Sequence, residues 1–317
     1  MTFNDRILVL GANGMLGSAI VRALKAKGYL DIVAPDREDY DLTCQEEVYN
    51  LFAEFTVDYV FLAAAKVGGI VANASDPLGF FMDNLDIQMN VMRNAEAVGV
   101  TKVLVLGSSC IYPRDCAQPM REVDLFSGRL EQTNKGYALA KLCGVYACEA
   151  FAQNANEECD TLFTPVLPCN LYGPGDNFNL MTSHVIPGMM RRMHIAKKAG
   201  HDHVKLWGSG NPFREFMHVD DCADGCVYLM GTYNDSDPIN LGTGVEGPLW
   251  ELAHIIQDVV GFTGKIWWDQ SKPDGTPRKR LDTSKLEDTG WQPSIGLKSG
   301  LVSTYQWALD NNWGEKD

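Results

Sequence analysis

The sequence predicts an α/β fold, a doubly wound parallel sheet with a smaller C-terminal lobe. Three observations carry this. Short, continuously apolar strands alternate with helical patterns through the first half of the chain, as expected for strands buried on both faces of a parallel sheet. A glycine-spaced turn, Gly11-Ala-Asn-Gly14-Met-Leu-Gly17, lies directly between the first strand and the first helix. The alternation then loosens over Leu171–Arg214, a stretch rich in Gly, Pro, Asn and His.

Taken in order, Ile7–Leu10 reads as a strand, Met15–Lys27 as a helix, Asp31–Ala34 as a strand and Glu46–Phe55 as a helix. Tyr59–Ala64, Val103–Leu106 and Thr161–Leu167 are further strands, separated by helical patterns over Leu78–Val98 and Tyr137–Gln153. The crossovers between parallel strands should be right-handed. Beyond them, helices are expected near Val185–Lys198 and over Val219–Gly231, Leu249–Val260 and Leu297–Asn311. Ile239–Leu241 is expected as a last sheet strand, and Lys272–Arg280 as a polar loop. The nucleotide-binding domain is therefore expected over 1–170, with 217–242 returning to it. The smaller, substrate-binding lobe is expected to be built from 171–216 and 243–317.

The chain has 317 residues, 45% hydrophobic and 21% charged, the composition of a globular protein large enough to bury a core without disulfides. Its 27 basic and 41 acidic residues give a net charge of −14. That excludes non-specific nucleic-acid or anionic-membrane binding, which needs positive surface, but leaves room for a local basic pocket and an anionic small molecule. The most apolar run, Val57 to Ala65, is closed by Lys66 and is too short to span a bilayer. Asp5 and Arg6 lead straight into the first strand with no secretory pattern, so a cytoplasmic location is expected. The nine cysteines (44, 110, 116, 143, 148, 159, 169, 222 and 226) are scattered, with no Cys-x-x-Cys pair. They read as reduced thiols, and no metal site is expected.

In the glycine turn the chain must bend tightly, approach a pyrophosphate with its backbone and bring the helix close to the sheet. The helix then offers unpaired N–H groups and its positive dipole end to the phosphates. Gly11, Gly14 and Gly17 make this a Rossmann-type dinucleotide site. Their G-x-x-G-x-x-G spacing resembles the extended short-chain dehydrogenase/reductase superfamily. After the second strand, an acid would bind the ribose 2′-hydroxyl of NAD, whereas an arginine would accept the 2′-phosphate of NADP. The chain has both, Asp36 and Arg37. Arg37 favours NADP(H) by charge-assisted contact, and Asp41 with Leu42 is expected to line the adenine.

Tyr137 and Lys141 are four residues apart on one helix face. A free tyrosine, with a pKa of about 10, is a poor proton donor at neutral pH. The nearby ammonium should lower it toward the working range. Ser108 follows the fourth strand and completes a Ser/Tyr/Lys set at the C-terminal edge of the sheet. In the nucleotide-sugar 4,6-dehydratases of the superfamily, the next two positions resemble an Asp-Glu pair that works in water elimination. Here they are Ser109 and Cys110, so that acid pair is missing. Cys110 beside the serine can instead be tuned to deprotonate a carbon next to a ketone. His184 is a second acid/base candidate, with an ordinary pKa of about 6.5. His194, His201, His203 and His254 read as surface or satisfied core residues, and His218 as structural.

Together these segments resemble the GDP-L-fucose synthases, a family of GDP-4-keto-6-deoxy-D-mannose 3,5-epimerase/4-reductases, over nearly the whole chain. The resemblance rests on Ala63–Asn73, Gly107-Ser-Ser-Cys-Ile-Tyr-Pro113, Asn170-Leu-Tyr-Gly-Pro174, Ser183-His-Val-Ile-Pro187, Trp207-Gly-Ser-Gly210, Arg214-Glu-Phe, His218-Val-Asp-Asp221 and Lys272-Pro-Asp-Gly-Thr-Pro-Arg-Lys279.

The resemblance implies that Cys110 and His184 are base and acid for epimerisation at C3″ and C5″. It further implies that Tyr137 protonates the C4″ oxygen, that Ser108 hydrogen-bonds it, and that Lys141 supports Tyr137. NADP(H) would be held by Gly11, Asn13, Gly14, Met15, Gly17, Arg37, Asp41, Leu42, Ala63, Ala64, Lys141, Pro168, Leu171 and His184. The substrate would meet Asn170, Arg192, Trp207, Arg214 and Lys279. Where the family often has a basic residue in the glycine loop, this chain has Asn13.

The resemblance also implies a homodimer pairing helices that correspond to Asn84–Val98 and Tyr137–Gln153. Ala138, Val145, Ala147 and Phe151 could serve that seam or the intramolecular core. Two rival readings are another nucleotide-sugar epimerase/reductase and a non-catalytic NADP-binding regulator. Cys110 and His184 weigh against the first, and the intact Ser108, Tyr137 and Lys141 against the second.

Overall fold

The computed structural model describes residues 1–155, 160–272 and 274–314. Cys159, one of the nine cysteines, and Pro273, within the segment 272–279, lie outside the described residues. In chain order the first half forms β1 (Ile7–Leu10), α1 (Met15–Ala26), β2 (Ile32–Val33), α2 (Gln45–Glu54), β3 (Tyr59–Leu62), α3 (Ile70–Ser75), α4 (Pro77–Ala97), β4 (Lys102–Leu106), α5 (Lys135–Asn154) and β5 (Leu162–Pro168). The second half adds β6 (Asn170–Tyr172), α6 (Val185–Lys198), β7 (His203–Trp207), β8 (Phe213–His218), α7 (Val219–Thr232), β9 (Ile239–Leu241) and β10 (Glu246–Pro248). It ends with α8 (Leu249–Val260), β11 (Lys265–Asp269), β12 (Arg278–Lys279), α9 (Ser284–Glu287) and α10 (Leu297–Asp310).

Six strands form the central sheet in the order β2-β1-β3-β4-β5-β9. Every pairing in it is parallel. The continuous apolar runs are explained by two cores, one on each face. Ile7 and Val9 share a core with Ile20 and Leu24 of α1 and Cys222 and Cys226 of α7. Leu8 and Leu10 pack on the other side with Leu51 of α2 and Val91 and Met92 of α4. All four β1 side chains are buried, and each contributes about 1.5–3 kcal/mol by leaving water. The strand expected over 31–34 shrinks to the two residues of β2, because it is a half-buried edge strand followed by Pro35.

A third core joins α6, α8 and α10. Above it, β8 pairs with β6, β10 and β12, and β7 pairs with β11. These strands were not expected from the sequence. Their partners lie up to some sixty residues away, so local periodicity carries little trace of them.

Two buried charges tie the layers together. Lys102 on β4 donates to the carbonyl oxygens of Leu229, Met230 and Tyr233 at 2.9, 3.0 and 2.6 Å, closing the C-terminal end of α7. Glu215 on β8 accepts the N–H groups of Thr243, Gly244 and Leu281 at 2.6, 2.9 and 2.7 Å. Within the chain, α4 and α5 pack closely. Gln88 donates to Ala140 O at 2.8 Å, and a Cβ on Gly144 would meet Gln88 Oε1 at 2.4 Å. Ala138 and Val145 are buried in this intramolecular core, and Phe151 packs against Phe163 in a tilted pair with ring centroids 4.6 Å apart. Among the described residues, no helix is long and apolar enough to cross a membrane.

Candidate active site

The C-terminal ends of β1, β3, β4 and β5 open onto a cleft of about 1100 Å³, closed on its other side by β6, α6, β8 and β12. Every site residue expected from the sequence lines it, from Gly11 to Lys279.

The glycine loop is sterically determined. Gly11 has φ +84, and a Cβ there would lie 2.7 Å from Ala64 N. A Cβ on Gly17 would sit 2.1 Å from Gly11 O. Gly14 is less confined, with φ −78 and its nearest clash at 3.3 Å. Gly14 is also the N-cap of α1, which has no side-chain cap and no acid in its first turn. The first-turn N–H groups are thus left to an outside anion. This bare helix start, with Ala63 and Ala64 pressed against Gly11, fits a dinucleotide pyrophosphate.

At the ribose end, Asn13 donates its side-chain amide to the Asp36 carboxylate, which ties that acid to the glycine loop. Arg37 is exposed beside it and lines the cleft. Asp41 accepts from Thr43 N and Oγ1 at 3.0 and 2.9 Å. These bonds, helped by Arg37, hold its carboxyl below the usual carboxylate range. Leu42 O accepts from Asn90 at 3.1 Å, which fixes this wall to α4. Pro168 ends β5 and Leu171 lies on β6, at the opposite rim.

Ser108 follows β4 and caps the short 3₁₀ turn Ser109–Ile111, its hydroxyl accepting Cys110 N–H at 3.3 Å. The Tyr137 phenol lines the same part of the cleft, and Ser108 favours its ionised form. Lys141 is buried and donates to Leu106 O at 2.9 Å. Burial pushes its ammonium down to about 8.

The expected lowering of Tyr137 is not found. Burial, aided by Cys110, pushes the phenol up, opposed only by Ser108. The Lys141 ammonium is directed at a backbone carbonyl, so desolvation decides the direction. The result is a protonated phenol at neutral pH, the form that can donate. Burial also pushes the Cys110 thiol up, while Lys279, Ser108 and Lys141 favour its thiolate.

His184 is the N-cap of α6 and half exposed, with Nδ1 3.8 Å from Asp176 Oδ1. His218, read as structural, is buried and accepts Asp220 N–H at 3.2 Å as the cap of α7. His194, among those left as surface or core, is buried with Nδ1 2.8 Å from Tyr305 OH.

The cations gather at the far end. Lys279 of β12 is the register partner of Arg214 of β8. Burial pushes both below their ordinary values, and Arg214 further depresses Lys279. Two partly desolvated cations of like sign are held where an anion would relieve both. Arg192 lies 4.9 Å from the Trp207 ring and Lys272 5.5 Å from it. Trp207 is 43% exposed, so one part of its ring system remains open to the cleft. Asn170 donates to Glu215 O at 2.7 Å, joining β6 to β8.

Residues 7–242 match the model of the NAD dependent epimerase/dehydratase family. The chain belongs to that family. It is 49% identical over 306 residues to a putative GDP-L-fucose synthase 2 of Arabidopsis thaliana, covering 96% of this chain and 92% of that one. It is 45% identical over 316 residues to the GDP-L-fucose synthase of Escherichia coli (strain K12), covering 97% of each. Among solved structures, a GDP-L-fucose synthetase from Naegleria fowleri bound to NADP superposes with a TM-score of 0.92 at 31% identity, covering 98% of this chain and 95% of that one.

For this epimerase/dehydratase-family chain, sequence reasoning missed Glu131 and Asp274, which line the cleft, and Asp176, which lies behind His184 with Oδ1 3.8 Å from its Nδ1. Asp274 accepts Ser209 N–H and Oγ–H at 2.6 and 2.7 Å. A carboxylate on a loop has no periodicity to betray it. The available signal for Asp176 was its place after Gly173-Pro174-Gly175, a turn with both glycines at positive φ.

Proposed function

We propose that this chain is a bifunctional 3,5-epimerase and NADPH-dependent 4-reductase that converts GDP-4-keto-6-deoxy-D-mannose to GDP-L-fucose. The observation that carries this reading is the convergence of Ser108, Cys110, Tyr137, Lys141 and His184 on one cleft that also holds Arg214 and Lys279. Relatives at 45–49% identity over nearly the whole chain bear the synthase name, and NADP(H) is the cofactor in keeping with the NADP-bound neighbour.

Arg214 and Lys279 hold the diphosphate of the GDP-sugar, with Arg192 and Trp207 toward the nucleoside. Ser108 donates to the C4″ ketone oxygen, which stabilises negative charge developing there. The ketone acidifies C3″ and C5″. Cys110 removes a proton from each carbon on one face, and His184 returns one on the other. Lys279 and Lys141 favour the Cys110 thiolate that this requires. NADPH, when bound by the glycine loop and Arg37, supplies the hydride that reduces C4″. Tyr137 then gives its proton to the resulting alkoxide, and Lys141 keeps a positive charge beside it. The cofactor is assigned to 1–170 with 217–242, and the sugar to 171–216 and 243–317.

We propose further that the protein is a cytoplasmic homodimer. Met82 on α4 and Tyr146 on α5 are exposed, and Tyr146 packs edge-on to exposed Phe126. Light scattering of the purified protein measures this assembly.

The chemistry is tested by separating its halves. Cys110→Ser should cut exchange of the C3″ and C5″ protons with deuterated water roughly 100-fold or more while cofactor binding is kept. Tyr137→Phe should cut reduction while exchange persists. Wild-type exchange in Cys110→Ser would show that another group is the base.

A further inference from the structure

The side chain of Asp176 is 4% exposed, yet its Oδ2 has no hydrogen-bond partner among the described residues. Its other oxygen accepts Asn177 N–H at 2.7 Å and lies 3.8 Å from His184 Nδ1. A buried carboxylate left half-satisfied is costly, and folds retain one where another group compensates. The backbone is shaped to hold it there. Gly173 and Gly175 both take positive φ, and Asp176 N–H closes the turn onto Gly173 O at 3.2 Å.

His184 sits in a place that disfavours its charged form. It caps the 14-residue α6, whose first turn carries no acid, so the helix dipole opposes an imidazolium there. The cleft lining also carries cations, among them Arg192 on the same helix, Lys141, Arg214 and Lys279, the titratable Tyr137 and Cys110, and the carboxylates Asp36, Asp41, Asp83, Glu131 and Asp274, none of which is in ion-pair contact with His184 among the described residues. Those that are cationic also oppose a charged imidazole. Asp176 is the carboxylate within ion-pair distance.

We propose that Asp176 is a positioning residue for the epimerisation: it holds His184 through Nδ1, retains the imidazolium and leaves Nε2 to deliver the proton to the sugar. This rests on the reading of His184 as the acid. In keeping with it, Asp176 raises the His184 pKa above the ordinary histidine value, against desolvation. Catalytic contacts of this kind are often long before ligand binds and shorten when the site closes.

The test is an NMR titration of the ring in histidine-labelled full-length protein, with His184→Gln assigning the signal. Proton exchange into GDP-4-keto-6-deoxy-D-mannose is measured in parallel. Wild-type His184 should titrate above free histidine. Asp176→Asn should move it down toward or below the free-histidine value and slow exchange about tenfold, a smaller loss than the roughly 100-fold of removing the acid itself. Its pH profile should shift with the titration, and Asp176→Glu should restore part of both. If Asp176→Asn leaves the titration and the exchange profile unchanged while His184→Gln abolishes exchange, the role of Asp176 is refuted and the acid stands. If His184→Gln exchanges at the wild-type rate, the underlying reading of the acid fails instead. Asp176→Glu keeps the question open to measurement even if the asparagine variant does not fold, because failure of the glutamate to retain a raised His184 titration also refutes the proposal.

Discussion

Lys279 and Arg214 are register partners on the parallel strands β12 and β8, and the Arg214 guanidinium, together with burial, holds the Lys279 ammonium below its ordinary value. In a chain of net charge −14, this like-charged pair faces the cleft without a carboxylate in ion-pair contact with either residue among the described residues. Such a pair is favourable once an anion sits between its members. Replacing either with alanine should raise KM for the GDP-sugar about tenfold to 100-fold, the effect of losing a hydrogen bond from a charged group at about 1.5–3 kcal/mol. NADPH affinity should stay within a few-fold, and the melting temperature should not fall, since like-charge repulsion is relieved. Steady-state kinetics with calorimetric NADPH titration measures all three.

The glycine loop gives a contrast within one motif. Gly17→Ala places a Cβ 2.1 Å from Gly11 O, whereas Gly14→Ala meets the same atom at 3.3 Å with an ordinary φ. Gly17→Ala should weaken NADPH binding by at least about 100-fold and destabilise the fold by roughly 1–3 kcal/mol, the range for overpacking. Gly14→Ala should stay within about tenfold in affinity. Fluorescence titration with thermal unfolding separates the two, and equal losses would show that the loop relaxes.

Lys102 offers a test of stability. Its ammonium is buried, 2% exposed, and burial pushes it down to about 8 from 10.5. Between those values the unfolded chain binds more protons than the folded one, so this residue adds stability as pH rises from 8 toward 10.5. Lys102→Met removes that contribution and leaves the carbonyls of Leu229, Met230 and Tyr233 without their donor. The variant should be less stable by about 1–3 kcal/mol at pH 7, and its gap from the wild type should widen above pH 8. Urea unfolding at pH 7, 8 and 9.5 measures the gap. A gap that narrows with pH would contradict the buried ammonium.

Much of this was legible in the sequence, and the reasons are local. Ile7–Leu10 could be read because consecutive apolar residues must serve two faces, and the structure divides them between two cores. Gly11 and Gly17 could be read because close backbone approach leaves no alternative residue. The pairing of Arg214 with Lys279 could not, because register between short strands some sixty residues apart leaves no periodic mark. Asp176 was hidden for the same reason, as its partner His184 lies across a loop. The Tyr137 ionisation was read in the wrong direction, because helical spacing places Lys141 near it but does not show that the ammonium is directed at Leu106 O.

The most direct test of the account is to give the protein GDP-4-keto-6-deoxy-D-mannose with NADPH and, in parallel, NADH, following cofactor absorbance and identifying the sugar by chromatography. The account predicts cofactor oxidation matched by GDP-L-fucose. NADPH should be preferred through Arg37, with some turnover of NADH because Asp36 stands at the same ribose, held by Asn13. Cofactor binding without turnover, or a reduced sugar whose C3″ and C5″ are not inverted, would contradict it.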